Sequence, residues 1–507
     1  MSDGGAQHPA TGRDTTGRDT TGRDTTGRDT TGRGSLTDPL RRARRSWYVY
    51  DWANSAYVTT SAAVLFGPYL TSVARRAACG DLAAGQECTA RLSLLGLPVA
   101  PGSLALYAVT AATVLSALLL PLVGALVDRS DHRHRWLGVL AWAGAAAAAS
   151  MVAVSGTRWQ LGVVLLVVAT ACLASSLVVY DALLCDVSPP ALRDRTSSRG
   201  WALGYLAGFA LLGADLALVS APQAVGLDTE GAVRVSLAVA GLWWAVFTLV
   251  PVWGLRRLPR RAPQPAAVLV ARQAGSGPLA PLRQLVRTVR GLGRYRQARR
   301  FLVAYLVFND GIQTVIYAAS IYGQEQLGFD QSQLITTILL VQGVAFVGAL
   351  LFGQVAVRVG AKRTVLAGLV LWVVVLAAAL GLRPGQFGAW LVLGVGIGLV
   401  LGGTQALARS MFSQLVPAGQ EAEFFSLYQA GERGTSWAGT LVFGLVFQLT
   451  GSYRPALAAL VAFFAVGALL LARVDVAAGA AQAAAGARPQ DGADLPGAAG
   501  AAGSVAR

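Results

Sequence analysis

Long apolar runs dominate the chain, and each is near the length that crosses a lipid bilayer. A hydrocarbon core roughly 30 Å thick is crossed by about 20 helical residues. Runs of this kind stand at 47–71, 103–127, 136–154, 160–184, 198–220 and 233–254. Six more stand at 301–322, 333–357, 364–382, 387–408, 424–449 and 455–473. Only 13% of the 507 residues are charged, about half the share of a soluble protein. With a mean hydropathy of +0.52, such a chain cannot clothe a water-facing surface of its size. Its solvent is lipid, and the expectation is an all-α polytopic membrane protein of twelve transmembrane helices.

The remaining sequence divides around these runs. Residues 1–40 carry a TGRDT repeat with no aliphatic or aromatic side chain to bury, which predicts disorder. They also lack the apolar core of a secretory signal. Residues 41–254 form a first six-helix bundle, 255–300 a basic linker and 301–473 a second bundle. Residues 474–507, rich in Ala and Gly with Pro489 and Pro496, read as a second disordered tail. Segment 283–300 fits either an amphipathic helix on an anionic leaflet or a solvated linker.

The net charge of +16 comes from arginines clustered between apolar runs, with no soluble basic domain to grip nucleic acid. No nucleic-acid partner is expected. Their placement sets the orientation. Arg41, Arg42, Arg44, Arg45, Arg129, Arg133, Arg135, Arg193, Arg195, Arg199, Arg358, Lys362, Arg363 and the 255–300 segment fall on one side. The opposite loops hold fewer basic residues. Both termini are therefore expected in the cytoplasm of a plasma (inner) membrane. The loop at 73–102 then faces outward, and its Cys79 and Cys88 can join if that compartment is oxidising. Cys172 and Cys185 lie in or beside apolar runs and read as small hydrophobes. Asp131, His132 and His134 share a basic loop without a specific metal spacing, and no metal is expected.

Equal run counts invite a search for duplication. Asp51, Asn54, Ser55 and Ser61 in the first run match Asp310, Gln313, Thr314 and Ser320 in the seventh at one constant offset. Gly124, Asp128 and Arg129 echo Gly353, Val357 and Arg358, and Val187 and Pro189 echo Leu415 and Pro417. Three echoes in the correct order argue for two related six-helix bundles in the major facilitator layout, whose binding site lies between halves near the midplane.

Several motifs carry a closer resemblance. G-A-L-V-D-R at 124–129 looks like the major facilitator signature between spans two and three. Y-D-W-A-N-S-A-Y at 50–57 resembles the opening helix of the vacuole-effluxer family of autophagy-related permeases and their bacterial relatives. N-D-G-I-Q-T at 309–314, G-G-T-Q-A-L-A-R-S at 402–410 and P-A-G-Q-E-A-E-F-F-S-L-Y at 417–428 fit the same family. The resemblance covers about Trp47 to Ala472. Two departures fall in span eleven: both Glu432 and Arg433 where one basic residue is expected, and Thr440 where proline is common. Eukaryotic members are implicated in releasing amino acids from the vacuole, so the resemblance implies amino acids or similar small metabolites as substrates. It also implies that Asp128, with Arg129, ties inner-loop ends to neighbouring helices.

An ionisable group inside a bilayer costs at least a few kcal/mol and so marks a site. Asp51 near the end of span one fits a substrate or proton pathway, or a helix-end pairing with Arg41, Arg45 or another loop arginine. Asp310 lies about nine residues into span seven, roughly 13 Å at helical rise. It fits proton or substrate-ammonium binding, since a desolvated carboxyl can carry a proton, or a static ion pair between helices. Asn54 and Gln313 follow one turn on, and Tyr57 and Tyr317 after them, as cavity or packing residues. Gln405 and Glu432 are further cavity candidates. Adjacent Glu432 and Arg433 point about 100° apart and are not expected to pair. Asp215 is a buried acid with no evident partner. Asp181 and Arg409 stand at equivalent repeat positions with opposite charge, which fits a gate between halves or two separate pairings with loop charges.

Together these residues point to an alternating-access carrier of a small molecule. No GxxxxGK[ST] is present, so a gradient would supply the energy, with protons passing through Asp310 or Glu432. Without GxSxG, HExxH or a histidine outside the tail and one basic loop, no enzyme is expected. The alternative is a non-transporting sensor or scaffold. The expected partners are the substrate, protons and the bilayer. No cofactor is expected, and the protein is expected to be a monomer.

Overall fold

The computed structural model describes residues 38–80, 88–94, 96–258 and 290–486. The N-terminal half begins with α1 (Asp38–Ala56), a π-helical segment (Tyr57–Leu65) and α2 (Phe66–Cys79) in one line. A short antiparallel hairpin follows, β1 (Leu92–Leu94) and β2 (Leu97–Val99), with Leu92 opposite Val99. Then come α3 (Leu104–Asp128), α4 (Arg133–Ser150), α5 (Trp159–Val187), α6 (Arg193–Ser220) and α7 (Thr229–Leu255). The C-terminal half holds α8 (Arg296–Ile321), α9 (Gln331–Val359), α10 (Ala361–Leu380) and α11 (Phe387–Leu415). It ends with α12 (Glu421–Thr435), α13 (Ala438–Thr450), α14 (Tyr453–Ala472) and α15 (Val476–Gly486).

Among the described residues, ten helices are long and apolar enough to cross a membrane. The expected first and eleventh spans are not among them, for physical reasons. Span one is diluted by Asp51, Asn54, Thr59, Thr60 and Ser61, all buried. Such groups are tolerated only where neighbouring helices supply partners. Span eleven is two helices, α12 and α13, parted at Ser436–Trp437. Side chains such as Leu118, 72% exposed, form the apolar outer surface that lipid covers. Local rules fix several helix starts. Asp330 accepts the Gln333 N–H in a capping box at α9, and that hydrogen bond holds its carboxyl below the usual range.

Two expectations need correction. The tail expected to be disordered from 474 contains α15, whose Gly479 lies so close to α8 and α11 that an added Cβ would stand 2.3 Å from Leu415 Cδ2. Helix α1 also begins at Asp38, inside the stretch expected to be disordered. The TGRDT repeat and most of the 255–300 linker, including 283–289, lie outside the described residues.

The halves meet through α3 against α12 and through α6 against α9 and α11. Glycine permits the first approach: a Cβ on Gly124 would stand 2.5 Å from the Ala422 carbonyl oxygen.

Candidate functional site

Arg409 of α11 lies between the halves and is 3% exposed. Its Nη1 donates to Asp181 Oδ1 of α5 at 3.2 Å, and its Nη2 to Asp51 Oδ2 of α1 at 3.3 Å. Its Nε reaches Ser197 Oγ of α6 at 2.9 Å, and Nη2 also reaches the Ser197 carbonyl at 3.1 Å. The rings of Trp47, Tyr180 and Trp201 surround the guanidinium, with centroids 5.0, 5.2 and 5.5 Å away. A buried guanidinium persists only when carboxylates and acceptors replace its water, and here the other half supplies them. Tyr180 adds a hydrogen bond of 2.7 Å to Asp51 Oδ2.

Helix α12 extends this network. Gln429 Nε2 donates to Asp181 Oδ2 at 2.9 Å, and Arg433 donates to Gln429 Oε1 at 2.6 Å. One face further, Glu432 accepts the Tyr305 hydroxyl at 2.7 Å and Gln313 Nε2 at 3.4 Å, both from α8. The adjacent Glu432 and Arg433 thus use different partners. Around the network stand the carboxyls of Asp51, Asp181 and Glu432 and the guanidinium groups of Arg409 and Arg433. With all of them charged, one negative charge is left over.

Asp310 lies apart from this chain. It is 3% exposed, and its Oδ2 accepts the Gly439 N–H at the start of α13 at 2.8 Å. Its Oδ1, the neighbouring Asn309 Oδ1 and Thr314 Oγ1 are buried without a hydrogen-bond partner. Asp310 and Gln313 therefore face protein, not acyl chains.

A second ionic cluster closes the end of the molecule where α3 stops. Asp128 accepts N–H groups of Ala422 and Glu423 at the N-terminus of α12, at 3.1 and 2.8 Å, and pairs with Arg133. Carboxylates are favoured at helix N-termini, and this one reaches a helix of the opposite half. Arg133 also reaches Glu421 at 3.1 Å and Asp186 at 3.3 Å. The guanidinium on Asp128 is thus that of Arg133, whereas Arg129 sits at the C-cap of α3. At the same end Arg193 and Cys185 donate to the Ser413 carbonyl, and Ser410 donates to Asp194.

The other expected residues are placed as follows. Asp51 pairs with Arg409 across the halves. Asn54 turns back on its own helix, donating to the Tyr50 carbonyl at 2.7 Å. Tyr57 packs inside the N-terminal half, bonded to Thr170 and stacked on Trp244. Tyr317 is 58% exposed, outside the network. Gln405 accepts the Tyr205 hydroxyl at 3.0 Å. Cys79 and Cys88 are joined. Sequence reasoning missed Trp47, Tyr180, Ser197, Tyr305 and Gln429. Only Gln429 carried a signal, its i,i+4 spacing to Arg433.

Two helical halves meeting at a buried polar seam are the arrangement of the major facilitator fold. The solved structures agree. The transporter FucP in its outward conformation matches with TM-score 0.61 at 11% identity, over 87% of this chain and 99% of that one. The human organic anion transporter MFSD10 (TETRAN) matches with TM-score 0.58 at 17% identity, over 85% and 99%. Within this class the family model described as vacuole effluxer Atg22 like matches residues 40–192 and 186–484, and the chain belongs to that family. Its relatives include the uncharacterized MFS-type transporter YxiO of Bacillus subtilis (strain 168), 28% identical over 435 residues, covering 85% of this chain and 95% of that one. Autophagy-related protein 22 of Pyricularia oryzae is 25% identical over 521 residues, covering 85% and 75%.

Proposed function

We propose that the protein is a gradient-driven carrier that moves amino acids, or small metabolites bearing similar charges, by alternating access. The observation that carries this reading is the Arg409 seam. A guanidinium of one half, held by two carboxylates of the other, is a contact that can form in one state and part in the next. Alternating carboxylate and guanidinium groups suit a zwitterionic substrate, and the leftover negative charge suits its ammonium group or a proton. Asp310, buried with an unpartnered oxygen, is the second candidate for the coupling proton.

The arginine bias supports cytoplasmic termini in a plasma membrane. The Cys79–Cys88 bond supports an outward-facing loop. The Asp128 end is then cytoplasmic, and its inter-half contacts describe a carrier closed toward the cytoplasm.

The test is counterflow and proton-driven uptake of labelled amino acids into proteoliposomes, with peptides, sugars and drugs as controls. Saturable amino-acid flux is expected. Asp310→Asn is expected to lose uphill transport and keep exchange; normal uphill transport by this variant removes Asp310 from the proton path. A flat response across the whole panel overturns the carrier reading in favour of a sensor or scaffold.

A further inference from the structure

Asp215 of α6 belongs to neither network described above. It is 4% exposed, and among the described residues no cationic side chain pairs with it. Thr60 of the π-helical segment donates to its Oδ2 at 2.5 Å. Ser236 of α7 is a hydrogen-bonding neighbour of its carboxyl, too distant for a well-formed bond, and the hydroxyl of Ser61, next to Thr60, is buried with no hydrogen-bond partner. Three helical elements of the N-terminal half therefore bring a carboxylate and hydroxyl oxygens to one buried point. The π-helical segment packs against both α6 and α7.

A lone charged carboxylate inside a helical bundle is unfavourable until a proton or a metal cation neutralises it. We infer that Asp215, Thr60 and Ser236 form a sodium site. The donors are hard oxygens, which suit alkali and alkaline-earth ions and not the softer transition metals. Charge decides within that group: one carboxylate neutralises a monovalent ion, whereas a divalent ion would leave net positive charge in hydrocarbon. A π-helical segment departs from regular i→i+4 bonding and is frequent at functional sites. Irregular backbone within a span is also where carriers coordinate ions. Asp215 stands about 7 Å, at helical rise, before the end of α6 at Ser220. That is the end of the molecule carrying Cys79, so the ion would enter from that side.

Binding of sodium alone tests this without any transport assay, so its outcome is separable from the carrier reading. Purified full-length protein is titrated with ²²Na⁺, and its Tm is followed in NaCl, LiCl, KCl and choline chloride at equal ionic strength. Saturable ²²Na⁺ binding is expected, with a sodium-dependent rise of about 2–4 °C in Tm that KCl and choline chloride do not give. Asp215→Asn should abolish both effects, and Thr60→Val and Ser236→Ala should weaken sodium binding. Absence of ²²Na⁺ binding by the wild-type protein overturns the site whatever the variants do. Equal stabilisation by potassium, or sodium binding that survives in a folded Asp215→Asn protein, overturns it as well.

Discussion

Replacing Arg409 by glutamine tests what holds the halves together. The substitution removes ion pairs of 3.2 and 3.3 Å and a cation seated among three rings. Glutamine keeps polarity and part of the reach, but Asp51 and Asp181 remain buried without their counter-charge. Breaking a buried pair from one side costs about 3–5 kcal/mol, and the lost cation–π contact adds about 0.5–2 kcal/mol. Because the partners sit on opposite halves, the loss falls on the closed arrangement at the Asp128 end and not on either bundle alone. At about 1.4 kcal/mol per factor of ten, even the lower figure shifts that equilibrium by about 100-fold. A single reporter thiol reads the shift. Ser413 is buried between the halves at this end, so Ser413→Cys, with Cys172→Ala and Cys185→Ala, should react slowly with a maleimide. Adding Arg409→Gln should speed labelling by about two orders of magnitude. Adding Asp51→Asn and Asp181→Asn as well should return it most of the way. If Arg409→Gln folds and labels at the parent rate, the ion pairs do not hold the seam.

Two further outcomes follow from the same geometry. Gly124→Ala places a Cβ 2.5 Å from the Ala422 carbonyl, an overpacking of about 1–3 kcal/mol; it should also speed Ser413→Cys labelling, while unchanged labelling would show that α3 and α12 can yield there. Asp194 and Ser410 touch across the halves, so cysteines at both positions, joined by a short thiol cross-linker, should stop transport until the link is cleaved by reductant, whereas undiminished flux would show that this contact never parts.

Ten of the twelve expected spans were legible because the bilayer imposes a length and a composition that few other constraints imitate. Asp181 and Arg409 were singled out by their opposite charges at equivalent positions of the expected repeat, and Asp128 by the family resemblance, with Arg129 expected where Arg133 stands. The π-helical segment was not legible, since a shift of one residue in backbone bonding leaves no mark in side-chain type. Nor were Trp47 and Tyr180, because an aromatic on an apolar helix has the same appearance whether it packs a core or cradles a cation. Helix α15 was missed for a different reason. Its alanines are strong helix formers, and reading the whole tail by its glycines and prolines hid that local preference.

Span eleven joins these observations. Its two pieces each begin at a carboxylate, but the carboxylates come from different halves: Asp128 holds α12 and Asp310 holds α13. The piece between those anchors carries Gln429, Glu432 and Arg433, so the polar seam and the helix break belong to one element. If the halves part at the Asp128 end, the bonds from Asp128 to α12 must break, whereas the bond from Asp310 to α13 lies within one half and can persist. The break thus separates the piece capped by the opposite half from the piece capped by its own half.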